Sequence, residues 1–488
     1  MWFVHTGVVS PPFPKVVNEF WLIVALGAVG SLGAVLTGAT IGSNPRPRIY
    51  EWWLRVPEHS YGIAHLIFYS SISLLLLAWL SVGAQARRGD LTIGRVWMML
   101  AFWGGPLLVG TPLFGRDVYS YVAQGELARR GYNPYLVTPQ RLGNGDILAS
   151  VASVWHHTTS PYGPLFVVLS RVVATLTSHS LIMEVIGIRL LMLIGVILLM
   201  RYLPLIAHHY GVDGSIALWL GVLSPLALFS AVSSAHNDTL MLGLMAMALW
   251  LQLQGKWRWA VVVFAVATTI KLPALAGVVF LVAAEWRNKT WRNCVRLSLE
   301  SVAIVAAVLV GATELSGYGW WWLSAKALSI PTQLHILTSP TVSIGVLVAT
   351  LLHALGANST IRNVVASTQH VGELLAVITV TGLIVRTRPV NSTRYLGITL
   401  LIVVILSPTV WPWYFLWGIT MLAVTTAQRS TFLALLSGFA MLLVGPGGTP
   451  MIGGNGFYPT SVLLLAGLIW FVASGQWRTV IGGTDRAG

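Results

Sequence analysis

Asp117 lies in residues 113–135, LFGRDVYSYVAQGELARRGYNPY, directly after an apolar span of a chain that has only fifteen acidic residues. A carboxylate set where a chain leaves a bilayer, among Arg, Tyr, Gln and Asn, has the chemistry of a general base facing a polar, carbohydrate-like substrate. The structural alternatives are an ion pair with Arg116 and an N-cap to the helix that follows. That helix carries Tyr119, Tyr121, Gln124 and Glu126 and closes at Tyr132-Asn133-Pro134-Tyr135. Tyr and Asn can stack on and hydrogen-bond to sugar hydroxyls, and the same cluster can simply end a helix.

Lys271 is the second group. A lysine within a long, nearly uncharged stretch costs about 2.5 to 3.5 kcal/mol on insertion unless it snorkels or pairs, and a lipid phosphate is a natural counter-charge. Three further stretches carry polar groups. His156 and His157 precede Ser160-Pro161-Tyr162-Gly163-Pro164; adjacent residues point in different directions and no second ligand pair stands at metal spacing, so hydrogen bonding to a phosphate or hydroxyl is the better reading. Ser233-Ser234-Ala235-His236-Asn237-Asp238 leaves His236 and Asn237 for a cavity, while Asp238 is a candidate cap for the helix opening at Thr239. Residues 407–414, SPTVWPWY, hold two prolines and Trp411, Trp413 and Tyr414, which suits either a shaped turn lining a cavity or an aromatic belt.

The elements that must position these groups follow from composition. Hydrophobic residues make up 56% and charged residues 9% of 488, where soluble domains carry roughly a quarter charged. The chain is an all-α polytopic membrane protein. One cysteine, Cys294, excludes a disulfide framework or a cysteine metal cluster. The net charge of +14 comes from Lys and Arg in short turns between apolar runs, which points to anionic lipid and not to nucleic acid. The first fifteen residues lack the basic start and small-residue cleavage site of a signal peptide, so the first span is expected to be retained.

Spans of sufficient apolar length begin near Asn18, Tyr61, Val96, Ile186, Gly214, Thr239, Asn293, Gly372, Leu396, Trp413, Thr431 and Pro459. The basic turns at residues 87–95, 256–258, 287–296 and 386–394, with Arg429 and Arg478, all fit the cytoplasm when both termini are inside. Residues 113–163 and 317–339 then lie outside, as do Tyr50, Trp52 and Trp53. Residues 164–178 are apolar but short and read as an external interfacial helix, within a catalytic loop segment at 113–180.

The run 259–286 sits between two basic clusters that both belong in the cytoplasm. One crossing cannot satisfy both, so residues 256–290 read as a hairpin broken at Lys271-Leu272-Pro273, with arms of about 12 to 14 residues. No repeat of solenoid or propeller type recurs.

These motifs together resemble the polytopic glycosyltransferases of the C-type (GT-C) fold: an acid in an external loop after an early span, a Tyr-Gly-Pro element opening an interfacial helix, and Lys-x-Pro in a broken span. GRDVYSYVAQGELARRGYNPY, SPYGPLF, SAHNDTLMLG, IKLPAL and SPTVWPWYF are similar to the MptB branch of the α(1→6)-mannosyltransferases of mycolic-acid-bearing actinobacteria. The likeness runs over residues 113–414. It implies a single transmembrane glycosyltransferase domain over residues 1–488, with about 12 to 15 spans. The implied activity is mannose transfer from polyprenyl-phosphate mannose to a lipomannan or lipoarabinomannan backbone at the external face.

Carried over, the loop acid is Asp117 and the Lys-x-Pro lysine is Lys271. Some relatives use two adjacent loop acids and a divalent metal; here Arg116 precedes Asp117, so no metal and no other cofactor is expected. Asp117 would take the proton of a mannose 6-hydroxyl. Lys271, with Arg116, Arg189 or His236, would steady the leaving phosphate. Acceptor or sugar contacts fall to Tyr119, Gln124, Asn133, Tyr135, His156, His157, Tyr162, Asn237, Asp238, Trp411, Trp413 and Tyr414. A transporter or flippase of a lipid-linked saccharide is the alternative, and it should spread charge through several spans or inverted repeats. A non-catalytic scaffold would leave Asp117 and Lys271 without a reason.

Overall fold

The computed structural model describes residues 15–43, 61–177, 180–287, 289–324, 339–357 and 360–449. The readings on Tyr50, Trp52, Trp53, Arg478, the span from Pro459 and nearly all of the first fifteen residues lie outside the described residues. Every long element that is described is a helix.

α1 (Lys15–Gly38), α2 (Tyr61–Arg88) and α3 (Ile93–Val109) pack together at one side. α4 (Asp117–Arg129) follows, then α5 (Asp146–Ser150), α6 (Ser153–His156) and α7 (Pro164–Leu176). Thirteen residues give α7 about 20 Å, too short to cross. It buries Phe166, Val167 and Ser170, packs along α4, and leaves Val172 and Leu176 exposed, the two-faced pattern of a helix lying against the bundle.

The long α8 (Leu181–His209) leads to α9 (Gly214–Gly221) and α10 (Pro225–Leu228). The span expected from Gly214 is bent by 58° between Gly214–Gly221 and Pro225–Ser233. Pro225 disfavours helix in the residue before it, and the Ser224 hydroxyl caps the new start by accepting from the Ala227 N–H at 3.1 Å. Against α9, the buried indoles Trp79 and Trp219 each donate to the other's backbone carbonyl, at 3.0 and 2.8 Å. Both polar N–H groups are thus satisfied without water.

α11 (Asp238–Leu253) lies against α8 and turns back as α12 (Trp257–Thr268). α13 (Leu275–Trp286) and α14 (Trp291–Ser316) continue the chain. Trp257 and Arg258 at the foot of α12 share a cavity of about 360 Å³ with Lys289 and Asn293, beyond the foot of α13. Arg258 also bonds Glu300 of α14 at 2.8 Å. The two arms therefore run antiparallel, return both basic clusters to one level, and carry Lys271 to the opposite end, about 18 Å away by helical rise.

α15 (Pro340–Ala354) is an apolar helix absent from the sequence count, and it packs against α16 (Ile361–Arg386). The span read from Gly372 begins eleven residues earlier, at Ile361. The polar IRNVVASTQH that opens α16 hid it from an apolar-run count. α17 (Ser392–Leu406) leads into a short turn at Pro412–Tyr414, then α18 (Phe415–Ala423) and α19 (Ser430–Met441).

Six described helices are long and apolar enough to cross a membrane, seven if the bent pair is one span. The others, 16 residues or fewer in α11, α12, α13, α18 and α19, are broken or short. Non-helical backbone at such depth is tolerated where protein or a cavity covers it. The breaks at Asp117, Asp238, Lys271 and Pro412 converge on one place.

Candidate active site

Asp117 is the first residue of α4, and Arg116 holds the cap position. The capping alternative therefore falls on Arg116, whose guanidinium donates to the Ser150 carbonyl at 2.8 Å and ties α4 to α5. A negative side chain in a helix's first turn is stabilised by its unpaired N–H groups. The Asp117 side chain is 15% exposed, and its Oδ2 stands 3.5 Å from Nδ1 of His236. His236 is stacked on Trp413, ring centroids 3.7 Å apart, and Trp413 on Trp411 at 5.0 Å.

Asp238 is not a cap. It is the first residue of α11, after Asn237, and both its oxygens accept from Lys271 Nζ at 2.8 Å. Trp417 Nε1–H donates to the same carboxylate at 2.6 Å. The ammonium also sits over the Tyr414 and Trp417 rings, 4.6 and 5.4 Å from their centroids. Lys271 neither snorkels nor stands alone; it pays its burial by pairing with an acid and two aromatic faces.

The Tyr-Gly-Pro and Lys-x-Pro motifs meet through the backbone. Gly163 N–H donates to the Ile270 carbonyl at 3.1 Å, and Leu165 N–H to the Thr269 carbonyl at 3.1 Å. Gly163 is required by this approach, since a Cβ there would lie 2.1 Å from the Thr269 oxygen. Tyr162 is buried and meets Tyr121 edge-on at 5.0 Å. Burial first, and then the Asp117 carboxylate, push the Tyr162 phenol well above its usual range, so it stays an O–H donor.

The remaining sequence candidates divide. Asn237 is joined to the site through the Tyr121 hydroxyl, with both contacts at 3.4 Å. Tyr119 and Gln124 are buried on α4, and Gln124 accepts from the Ser160 hydroxyl at 2.8 Å, a strut rather than a sugar contact. Asn133 folds its own turn, accepting from Tyr135 N–H at 3.0 Å and donating to the Tyr318 carbonyl at 3.2 Å, while Tyr135 is buried beneath it. His156 bonds the Val151 carbonyl at 3.1 Å, and His157 is exposed.

Arg189 has a different task from the one its charge suggested. Fully buried, it donates to the carbonyls of Leu108, Gly110 and Ser233 at 2.6 to 2.9 Å. It clamps the loop before Asp117 to the loop before Asp238. Glu126, also buried, is held by Arg129 and Arg130 on its own helix at 2.6 to 2.8 Å. Burial alone would raise its carboxyl, but those hydrogen bonds prevail and bring it to about 2.

Sequence reasoning missed Trp417 and left Tyr121 without a role. Trp417 stands three residues after Tyr414, the helical spacing that puts two aromatics on one face. Among the described residues no group of three or more His, Cys, Asp or Glu gathers as a metal site.

A helical membrane bundle whose broken elements bring an aspartate, an ion pair and stacked aromatics together has the build of a polytopic membrane enzyme. Residues 24–287 match the N-terminal domain of the alpha-(1->6)-mannopyranosyltransferase (MptA/B) family, and residues 340–475 match the MptB C-terminal domain. The chain is 31% identical to "Alpha-(1->6)-mannopyranosyltransferase A" of Mycobacterium tuberculosis over 416 residues, 82% of this chain and 79% of that protein. It is 30% identical to a "Probable alpha-(1->6)-mannopyranosyltransferase" of Mycolicibacterium smegmatis, over 81% of this chain and 78% of the other. To "Alpha-(1->6)-mannopyranosyltransferase B" of Corynebacterium glutamicum it is 25% identical, covering 84% and 74%. No solved structure matches. The chain belongs to the alpha-(1->6)-mannopyranosyltransferase family: it is a multi-pass membrane mannosyltransferase, with a sugar donor and a lipid or glycan acceptor.

Proposed function

We propose that this enzyme takes mannose from polyprenyl-phosphate mannose and extends the α(1→6)-mannan backbone of lipomannan and lipoarabinomannan at the external membrane face, with both termini cytoplasmic. The names of its relatives support α(1→6) linkage. The observation that carries the site is the contrast between its two acids. Asp238 is 2% exposed and saturated by Lys271 and Trp417, whereas Asp117 is 15% exposed and, among the described residues, has the His236 imidazole at 3.5 Å as its ionisable neighbour.

In this scheme the 6-hydroxyl oxygen of the acceptor attacks the anomeric carbon of the donor while Asp117 takes its proton. The bond from the anomeric carbon to the phosphate oxygen breaks, and the polyprenyl phosphate leaves with the electron pair. One displacement inverts the centre, so a β-linked donor gives an α-linked product. Lys271 spends two of its three N–H groups on Asp238; the third is the one for a leaving phosphate oxygen. The chemistry proceeds without a metal.

Membranes carrying Asp117→Asn should lose transfer of radiolabelled mannose from the polyprenyl donor to a short α(1→6)-mannoside, while the protein inserts and unfolds normally. Activity retained in that variant would remove Asp117 as the base.

A further inference from the structure

His236 touches the proposed base, yet the scheme above gives it no task. Its side chain is 1% exposed and lies nearly parallel to Trp413, at an interplanar angle of 17°. On its other edge runs the backbone of Gly115, so close that a Cβ there would be 2.5 Å from Nε2. The His236 peptide N–H bonds the Ser230 carbonyl at 2.8 Å, and Ala235 before it is left-handed at φ 51°. The ring is thus held in one orientation. Among the described residues neither ring nitrogen has a hydrogen-bond partner, and Nδ1 stops 3.5 Å short of Asp117 Oδ2. Buried nitrogens are rarely left so, and hydrogen bonds to a catalytic group are often long until substrate arrives.

A phosphate-binding histidine needs an open edge, and here Trp413 covers the ring face, the Gly115 backbone stands against the Nε2 edge, and the Nδ1 edge faces a carboxylate. Resting on the reading of Asp117 as the base, we propose that His236 is a positioning residue for it. As the acceptor hydroxyl enters, His236 Nδ1–H donates to Asp117 Oδ2, which turns Oδ1 to the hydroxyl whose proton it takes. The imidazole itself neither gains nor loses a proton. Trp413 fixes the plane of the ring, and the ring fixes the plane of the carboxylate.

The test compares purified full-length wild type with His236→Phe, which keeps a ring on Trp413 but no N–H, and His236→Asn, whose amide N–H reaches the place of Nδ1. His236→Phe should lower kcat by about 10- to 100-fold, because ångström-scale misplacement costs up to about 10²-fold. KM for donor and acceptor should stay within about twofold, and His236→Asn should recover much of the loss. A raised donor KM at full kcat, or equal losses in both variants, overturns the proposal. A second readout needs no turnover: in protein labelled with 15N-histidine, the Nδ1 signal absent from His236→Phe should move in Asp117→Asn. An unmoved signal also overturns it. Wild type inactive on polyprenyl-phosphate mannose would instead defeat the donor assignment, leaving the spectrum to decide the histidine–aspartate link.

Discussion

Phe114 and Ala235 each take a left-handed backbone, at φ 62° and 51°, three residues before an aspartate that begins a helix. Such conformations in residues with a Cβ cost of order 1–3 kcal/mol and persist where surrounding contacts over-determine them. Here Phe114 N–H is bonded to the Pro446 carbonyl at 2.7 Å, and its ring packs 4.8 Å from Phe229. The two loops therefore deliver Asp117 and Asp238 by the same local device. Their fates differ. Asp238 receives an ammonium and an indole N–H and becomes a strut that holds the hairpin apex. Asp117 has the His236 ring 3.5 Å away and stays 15% exposed. Local backbone does not decide a carboxylate's role; what the fold sets opposite it does.

The largest effect that tests this contrast is chemical. Asp117→Asn should cost at least about 10²- to 10⁴-fold in mannose transfer with an unchanged unfolding temperature, as measured by transfer assays and thermal melts in the same detergent. Lys271→Met should lower stability as well as transfer, since it strands a buried carboxylate and removes the cation proposed for the leaving phosphate. We expect destabilisation of about 3–5 kcal/mol, read by thermal or denaturant unfolding. Adding Asp238→Asn to Lys271→Met should return part of that stability, and strictly additive losses would break the strut reading.

Gly163→Ala comes next, at about 1–3 kcal/mol from overpacking. It should lower melting temperature and transfer together, because the Tyr-Gly-Pro turn can no longer seat on Thr269. His157→Ala should be smallest, within about 0.5 kcal/mol in stability for an exposed site, with transfer close to wild type. A large fall in its activity would show that the site reaches further from Asp117 than the ion pair and aromatics define.

Much of this was legible in the residues. The hairpin break follows from Pro273 and from two basic clusters that cannot lie on opposite faces, and Lys271 stood out because an intramembrane cation needs a partner. The partner's identity was not legible. Asp238, read as a cap, is 33 residues from Lys271 and 179 from Trp417. Arg189 looked like a phosphate ligand because a buried charge in a helix suggests function. Its three carbonyl acceptors come from two loop regions, around Leu108–Gly110 and at Ser233, that no periodicity ties to it. Apolar-run counting also overlooked α15, whose 15 residues fall short of a full crossing, and the polar first turns of α16, which precede its apolar run.

The sequence by itself determined that this is a helical membrane protein, where its helices break, and that Asp117 and Lys271 are the charges demanding explanation. Those conclusions need only the local balance of apolar length against the cost of charge in a bilayer. Only the tertiary structure decided that Lys271 is answered by Asp238 and Trp417, that Arg189 is a clamp, and that the His236 ring stands 3.5 Å from the Asp117 carboxylate. Hydrogen bonds and ion pairs act over about 3 Å, and which residues come that close is settled by how the broken helices pack.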